Sequence, residues 1–539
     1  MIISFMKINP IIHLSSAAPD KTGKPEPVSP NGLNQTGRDK FRPAKAAIPA
    51  YTAADRLRKW AGKIKTLAGI QPEPASVYDT SQAAEIVLSR ITDKILRGRH
   101  FSTSDVPVNF KMTANNSTQQ YAQGAAFAKL KAEIEKAIVN KTKGSPGVFL
   151  AGHNFIIGSG ATGQKMTDLF IKAHKAGIPV LFSYDRAGTM VHGKGGEANL
   201  NRMKAAGIKV ITNLPPIDYL DHRKSYFIGS GDGKVTAFAG GQGWGESYGG
   251  KDWDTQAAIP ESQGGLIYQN PEDEPWMDHL RMVRGEAALQ GAINFLGFFA
   301  SRCERDELPQ ALGIKTGGED QRIKTQLAAT FLPKLKPTGK AKVQILTNQN
   351  WNQRPITEAW YQKISDPRVS DIRIAMPYLT DPVLREKLTE AVKTGTNLHI
   401  LIPGKNDTYP AQIANKYLFD RLKAVRQAME ERHEKTGELE LKELHKAGGE
   451  PNMLHLKYGI FTYREHPEAD LLIDGSYNTT AVEGRGWERN QDFLIQDHKA
   501  VKEAAQRFDE LMAEGRESKT TAKEKLLGLP FVIFLRPFM

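Results

Sequence analysis

Two short stretches of the chain carry the same chemical parts in the same order. The first reads Asp221-His222-Arg223-Lys224, then an apolar run, then the turn Gly240-Gly241-Gln242-Gly243-Trp244 and, further on, Trp253-Asp254. The second reads Leu454-His455-Leu456-Lys457, another apolar run, then Asp474-Gly475-Ser476-Tyr477-Asn478 and Asn490-Gln491-Asp492. Residues i and i+2 of an extended chain point to one side, so each His-x-Lys aims an imidazole and an ammonium at the same spot. A phosphodiester placed there meets a nucleophile or proton donor and a fixed positive charge, both useful against a phosphorus centre gaining negative charge. One copy provides half a reaction. Two copies facing each other provide one His to attack phosphorus and one to protonate the leaving oxygen, with the roles exchanged when water arrives.

The elements around the motifs are those that place residues at strand ends. In the first half, VFLAGHNFII reads as a buried strand, residues 164–176 as an amphipathic helix and IPVLFSYD as a second strand. A Gly-rich loop, a helix through Met203 and the strand IKVIT then lead into the motif. In the second half AKVQILTN and SDIRIAMPYL read as strands, residues 382–392 as a helix and NLHILIPG as a strand, again ahead of the motif. Strand-helix-strand alternation implies a largely parallel sheet covered by helices. Helices are also expected over residues 53–97, 120–139, 276–299, 417–449 and 499–525. The stretch Gly158 to Lys165 looks like a phosphate-binding Gly loop, but Gln164 stands where the Lys must follow the final Gly. His153 and His192 lack a second ligand at metal-site spacing, and His433 and His445 read as bystanders on the solvated face of a charged helix.

The ordered set of His-x-Lys, small-residue turn and distal acid resembles the phospholipase D superfamily, whose motif is His-x-Lys-x4-Asp followed by a Gly-Ser-x-Asn turn. The resemblance covers residues 147–511. It implies an α/β fold of two phospholipase D-like α-β-α repeats related by a pseudo-twofold, here with an N-terminal helical extension. It also implies the roles of the residues. His222 attacks phosphorus to give a phosphohistidine and His455 protonates the departing alcohol. Lys224, Lys457 and Asn478 hold the phosphate oxygens with Ser476 in support, and Gly241 and Gln242 occupy the matching turn of the first repeat. Asp254 and Asp492 stand where a family carboxylate orients each imidazole. No metal or other cofactor is required, since the lysines supply the charge. The motif Asp is replaced by Gly229 in the first copy and Thr462 in the second, and Gly243 replaces the turn Asn.

The expected division is a flexible basic leader (1–50), the helical extension (51–146), the first repeat and its connection (147–340), the second repeat (341–515) and a tail (516–539). A net charge of +13 favours an anionic partner, phospholipid headgroups or nucleic acid. The single Cys303 excludes an internal disulfide and a cysteine-rich metal site. The resemblance makes phospholipid at a membrane surface the first substrate choice, with hydrolysis to phosphatidic acid or transfer of a phosphatidyl group as the reaction. A nuclease of the same superfamily and a non-catalytic anionic-lipid-binding module are the alternatives. Both repeats lie in one chain, so a monomer is expected. The apolar ends of the chain are interrupted by Lys7, Pro10, Pro530 and Arg536, so neither a standard signal peptide nor a membrane span is expected. The leader fits a bacterial cytoplasmic enzyme peripheral to the membrane or a secreted effector.

Overall fold

The computed structural model describes residues 112–192, 195–213, 220–249, 276–300, 334–349, 353–445, 449–522 and 524, all within the compact unit Val77–Met539. The basic leader, the helices expected over 53–97, the connection around 301–333, Asp254 and the apolar C-terminal run lie outside the described residues.

The first half opens with strand β1 (Thr113–Ala122), helix α1 (Gln123–Thr142), β2 (Val148–Asn154), α2 (Ala161–Lys175) and β3 (Val180–Tyr184). It continues with α3 (Arg186–His192), α4 (Glu197–Ala205), β4 (Lys209–Thr212) and the short β5 (Leu220–Asp221). It ends with β6 (Ser225–Ser230), β7 (Val235–Gly240), α5 (Glu246–Gly249), β8 (His279–Arg284) and α6 (Glu286–Ala300). The second half repeats the order: β9 (Ala341–Asn348), α7 (Pro355–Ile364), β10 (Val369–Ala375), α8 (Pro382–Lys393), β11 (Asn397–Pro403), α9 (Tyr409–Glu431) and β12 (Leu439–Leu444). Then come β13 (Tyr458–Tyr463), β14 (Leu471–Gly475), α10 (Ala481–Gly484), β15 (Glu488–Gln496), α11 (His498–Glu514) and β16 (Arg516–Glu517).

The strands form one sheet in the order β16-β12-β11-β10-β13-β14-β15-β9-β1-β8-β7-β6-β2-β3-β4, with β5 beside β15. Read outward from the β9–β1 seam, the two sides carry the same strands in the same sequence, and β1 and β9 meet antiparallel, as a twofold between them demands. The two-repeat α/β fold class read from the sequence is observed, but the sheet is mixed and not largely parallel: β2-β3-β4 and β10-β11-β12 run parallel, whereas β6-β7-β8, β13-β14-β15 and the seam are antiparallel. Helices α6 and α11 pack on one face over a core shared by both halves, including Phe227, Phe295, Val343, Tyr458 and Phe508. The other face is covered separately in each half, by α1 and α2 around Phe127, Phe170 and Trp244, and by α7, α8 and α9 around Trp360, Leu388 and Phe461. Both faces of β2, β6 and β7 are buried, which is why these strands read as apolar runs without alternation.

Four helical expectations are corrected, the simplest being the helix over 499–525, which ends at Glu514 and gives way to β16. The helix expected from residue 120 begins at Gln123 and is preceded by β1, a strand whose polar sequence TANNSTQQYA gives no apolar signal. Its polar side chains bind neighbours instead: Asn116 Oδ1 accepts from Ala287 N at 2.9 Å and Gln120 Oε1 from Arg281 at 2.7 Å. The helix expected over 276–299 is β8 followed by α6, divided at Gly285 with its φ of +116°. Met277, Leu280 and Val283 imitate helical spacing because nearly every side chain of β8 is buried, on both faces. The charged helix expected over 417–449 gives way after Glu431 to β12, where LELKEL has the period of a strand.

Candidate active site

The two His-x-Lys motifs sit in extended links that enter β6 and β13, opposite the ends of β2 and β10. The backbone holds both in one way. His222 N donates to Arg489 O at 2.9 Å, and His455 N donates to Met277 O at 2.8 Å, so each motif is pinned by the other half of the molecule. Lys224 O accepts from Gly240 N and Lys457 O from Gly475 N, at 3.3 and 3.2 Å. Each ammonium folds back onto its own motif, with Lys224 Nζ 2.8 Å from His222 O and Lys457 Nζ 2.8 Å from His455 O. All four side chains are buried or nearly so.

These paired backbone bonds identify twofold mates. Trp276, Met277 and Asp278 match Glu488, Arg489 and Asn490, and Tyr248 matches Glu483, at the same step past Gly240 and Gly475. The mates surround the two histidines, and their chemistry differs. His455 Nδ1 lies 2.6 Å from Asp278 Oδ2, and the Tyr248 and Trp276 rings lie 5.6 and 5.1 Å from the imidazole centroid. His222 Nδ1 lies 3.2 Å from Asn490 Oδ1 and 3.5 Å from Glu483 Oε1, with Glu488 in the same cluster and the Phe155 ring edge-on at 4.8 Å. One histidine is walled by aromatics and one carboxylate, the other by two carboxyls and an amide. Both Nδ1 atoms face acceptors, which favours the proton there, and Lys457 Nζ lies against the His455 ring, 2.9 Å from Nδ1 and 3.0 Å from Nε2.

Burial lowers the proton affinity of both rings. His222 is held well below its ordinary value by desolvation, then by Lys224 and Lys457. His455 is lowered to about 4 by desolvation and Lys457, with Asp278 pulling the other way. Burial brings Lys457 down to about 8 against the pull of Asp278 and Glu483, and lowers Lys224 well below its ordinary value with Lys457 adding to the shift. Two ammonium groups crowded out of water in this way constitute a strong anion site. Glu483 is raised well above its ordinary value by burial and by Glu488, whose own affinity burial also raises.

The remaining sequence candidates are placed as follows. Asn478 donates from Nδ2 to Glu483 Oε1 at 3.1 Å, and its buried Oδ1 has no partner. Ser476 Oγ donates to Asn490 Oδ1 at 3.1 Å and so supports the His222 partner. Asp492 does not orient an imidazole: its Oδ1 accepts from Ser476 N and Tyr477 N, at 2.8 and 3.0 Å, because position 492 pairs with Gly475 one pleat inside the sheet. Gln242 is not at the phosphate position either, since it is buried and donates to Gln123 O at 3.1 Å. Gly241 donates to His279 O at 3.3 Å, and a Cβ there would overlap the Asp278 carboxylate, so this glycine is the passage by which Asp278 reaches His455. At Gly229 a Cβ would fall 2.5 Å from Gly147 O and from the Phe149 ring, which leaves no room for the Asp of the motif. Sequence reasoning missed Asp278, Asn490, Glu483, Glu488, Tyr248 and Trp276. The strand register that identifies them is a tertiary fact.

His222, Glu483 and Glu488 offer ligand atoms within 4.8 Å of one another, a metal-like spacing among the described residues. The donor set does not suit a cation. Asn478 and Asn490 both aim N–H groups at Glu483 Oε1, at 3.1 and 3.2 Å, and Lys224 and Lys457 act on the same carboxyls. Such a pair is better matched to a retained proton.

Among the described residues no helix is long and apolar enough to cross a membrane. A family model described as "Cardiolipin synthase, PLD-like domain" matches residues 361–512. A probable cardiolipin synthase of Bacillus subtilis (strain 168) is 25% identical over 282 residues, 50% of this chain and 47% of that protein. A cardiolipin synthase of Clostridium perfringens (strain 13 / Type A) is 24% identical over 351 residues, 60% of this chain and 63% of its own length. The chain thus spans about half the length of the first of these relatives and less than two thirds of the second. The crystal structure of phosphatidylserine synthase from Haemophilus influenzae Rd KW20 has the same fold, with a TM-score of 0.52 at 11% identity over 83% of this chain and 100% of that one. The fold is thus shared with that synthase, residues 361–512 match the PLD-like domain and the motif is doubled across the seam, so the chain is similar to the phospholipase D superfamily.

Proposed function

We propose that the protein transfers a phosphatidyl group from a phospholipid to an alcohol or to water, by way of a phosphohistidine. The observation that carries this reading is the convergence of two buried His-x-Lys motifs, each pinned by the opposite half. His222, held well below its ordinary proton affinity and flanked by the Asn490 amide oxygen at 3.2 Å and Glu483 at 3.5 Å, is the nucleophile. His455, held against Asp278, is the group that carries the catalytic proton. In the first step the Nε2 lone pair of His222 forms a bond to phosphorus as the phosphorus–oxygen bond to the headgroup breaks. The negative charge of the bound phosphodiester, added to that of Asp278, raises the affinity of His455 so that it holds a second proton on Nε2, and the leaving oxygen takes that proton. In the second step the acceptor hydroxyl returns a proton to His455, its oxygen bonds to phosphorus, and the bond to His222 breaks. Lys224, Lys457 and the Asn478 amide are the groups that meet the phosphate oxygens. The relatives' printed names, cardiolipin synthase and phosphatidylserine synthase, support a phospholipid over other diesters and transfer beside hydrolysis.

The test is headgroup release from mixed phospholipid vesicles, with and without added glycerol, by wild type, His222→Ala and His455→Ala, with plasmid nicking run on the same preparations. Release should be lost in both variants, and radiolabelled phosphatidyl group should accumulate on His222 of His455→Ala when the leaving alcohol is a good one. Nicking lost in the variants with lipid untouched would replace this reading with a nuclease. Lipid binding without release by wild type would leave only a lipid-binding module.

A further inference from the structure

Four large apolar side chains are exposed among the described residues: Met190 at 62%, Val139 at 49%, Tyr409 at 45% and Trp487 at 44%. Three of them stand on separate connections that leave strand ends beside the His222–His455 site. Met190 is on α3, straight after β3, and its neighbour Thr189 is 3.4 Å from the carbonyl of Phe155, whose ring packs on His222. Tyr409 opens α9 after β11, two residues beyond Asp407, which accepts from Tyr378 Oη at 2.7 Å and acts on Lys457. Trp487 immediately precedes Glu488 of the His222 cluster. Val139 belongs to the opposite end: the next residue, Asn140, bonds Ser230 O at 2.6 Å, where β6 ends away from Lys224.

Each of the three has a cation beside it. Arg186 is exposed one turn before Met190, and Lys405 is exposed shortly before Tyr409. The Arg485 guanidinium lies 5.2 Å from the Trp487 ring. The three stand on different connections, after β3, after β11 and before β15. One partner that touches all of them is a surface with charge outside and hydrocarbon beneath. Trp, Tyr and Met paired with Arg or Lys match the headgroup boundary of a bilayer, where the ring or thioether enters and the cation stays with phosphate.

We propose that this rim is a bilayer-docking surface, with Met190, Tyr409 and Trp487 entering the headgroup–acyl boundary and the exposed Arg186 and Lys405 meeting anionic headgroups. It rests on the phospholipid reading of the site and adds how that site reaches lipid held in a membrane.

The test is flotation with phosphatidylcholine vesicles and with equimolar phosphatidylcholine and phosphatidylglycerol, for wild type, Trp487→Ser, the triple serine variant at 190, 409 and 487, and Val139→Ser. Affinity should fall about tenfold in Trp487→Ser and be lost in the triple variant, since an apolar side chain at a boundary contributes on the order of one decade of binding. Val139→Ser should bind as wild type. Tryptophan fluorescence should be quenched by brominated acyl chains in wild type and much less so in Trp487→Phe. Turnover of a short-chain phosphatidylcholine dispersed as monomers should survive in the triple variant, which separates lost docking from lost folding. Undiminished vesicle binding by a folded triple variant, absent quenching in wild type, or loss of DNA binding with vesicle binding intact would each overturn the surface. Vesicle binding and quenching as expected, without turnover of monomeric or vesicle lipid by wild type, would support the surface and overturn the catalytic reading alone.

Discussion

Two ammonium groups buried beside two imidazoles set the chemistry at the scale of single residues. Lys457, brought down to about 8, is the group whose loss of charge matters near physiological pH. In the proposed reaction its positive form holds the phosphate, so kcat/KM is expected to fall as pH rises through about 8, and the fall should move to higher pH in Lys457→Arg, whose guanidinium stays protonated. A pH–rate profile with the same basic limb in both proteins would count against this assignment. His222, Lys224, His455 and Lys457 were legible in the sequence because the chemistry needs them two apart, and two apart is a local relation. Asp278 was not, because it serves a histidine of the other half and no local spacing ties it to His455. Asp492 was misread for a related reason: residues 490 and 492 share a strand face, and only the register with Gly475 tells which one stands at the strand end.

At the scale of elements, the site depends on turns narrow enough to let a carboxylate through. Gly241 is such a turn, because a side chain there would displace Asp278. Gly241→Ala is expected to cost about a hundredfold in kcat/KM, the usual penalty for moving a catalytic group by about an ångström. Gly245→Ala in the same connection, where a Cβ meets the Tyr248 ring at an ordinary 3.6 Å, should leave the rate within a few-fold. Equal losses in the two variants would argue that the connection, not the passage of Asp278, is what matters. The strands of the βαβ units were visible from their apolar runs, whereas β1, β8 and β12 were not. The first is mostly polar and the second is buried on both faces, so neither alternates cleanly, while the short alternation of β12 is masked by its charges and by the helix it follows.

At the scale of the whole molecule the halves are joined through a buried polar network as well as through the shared core. Asp474 of β14 accepts from Arg281 Nε at 2.7 Å and meets His279 Nε2 at 2.5 Å, both on β8, while Gln120 of β1 bonds each of those two partners. Asp474→Asn leaves a buried guanidinium without its counter-charge, and a loss of about 3–5 kcal/mol is expected. Because the network and the core under α6 and α11 span the seam, denaturant unfolding of wild type followed by circular dichroism and by tryptophan fluorescence should show one coincident transition. Two separated transitions would mean that each half stands alone.

The unlike walls of the two histidines have a consequence for how the reaction can run. In an assembly of two identical halves every flank would be duplicated, and each imidazole would be as ready to attack as to release a proton. Here a single polypeptide places Glu483, Glu488 and Asn490 around one ring and Tyr248, Trp276 and Asp278 around the other. In the proposed reaction these unlike surroundings give the two histidines a fixed division of labour, one as nucleophile and one as proton carrier.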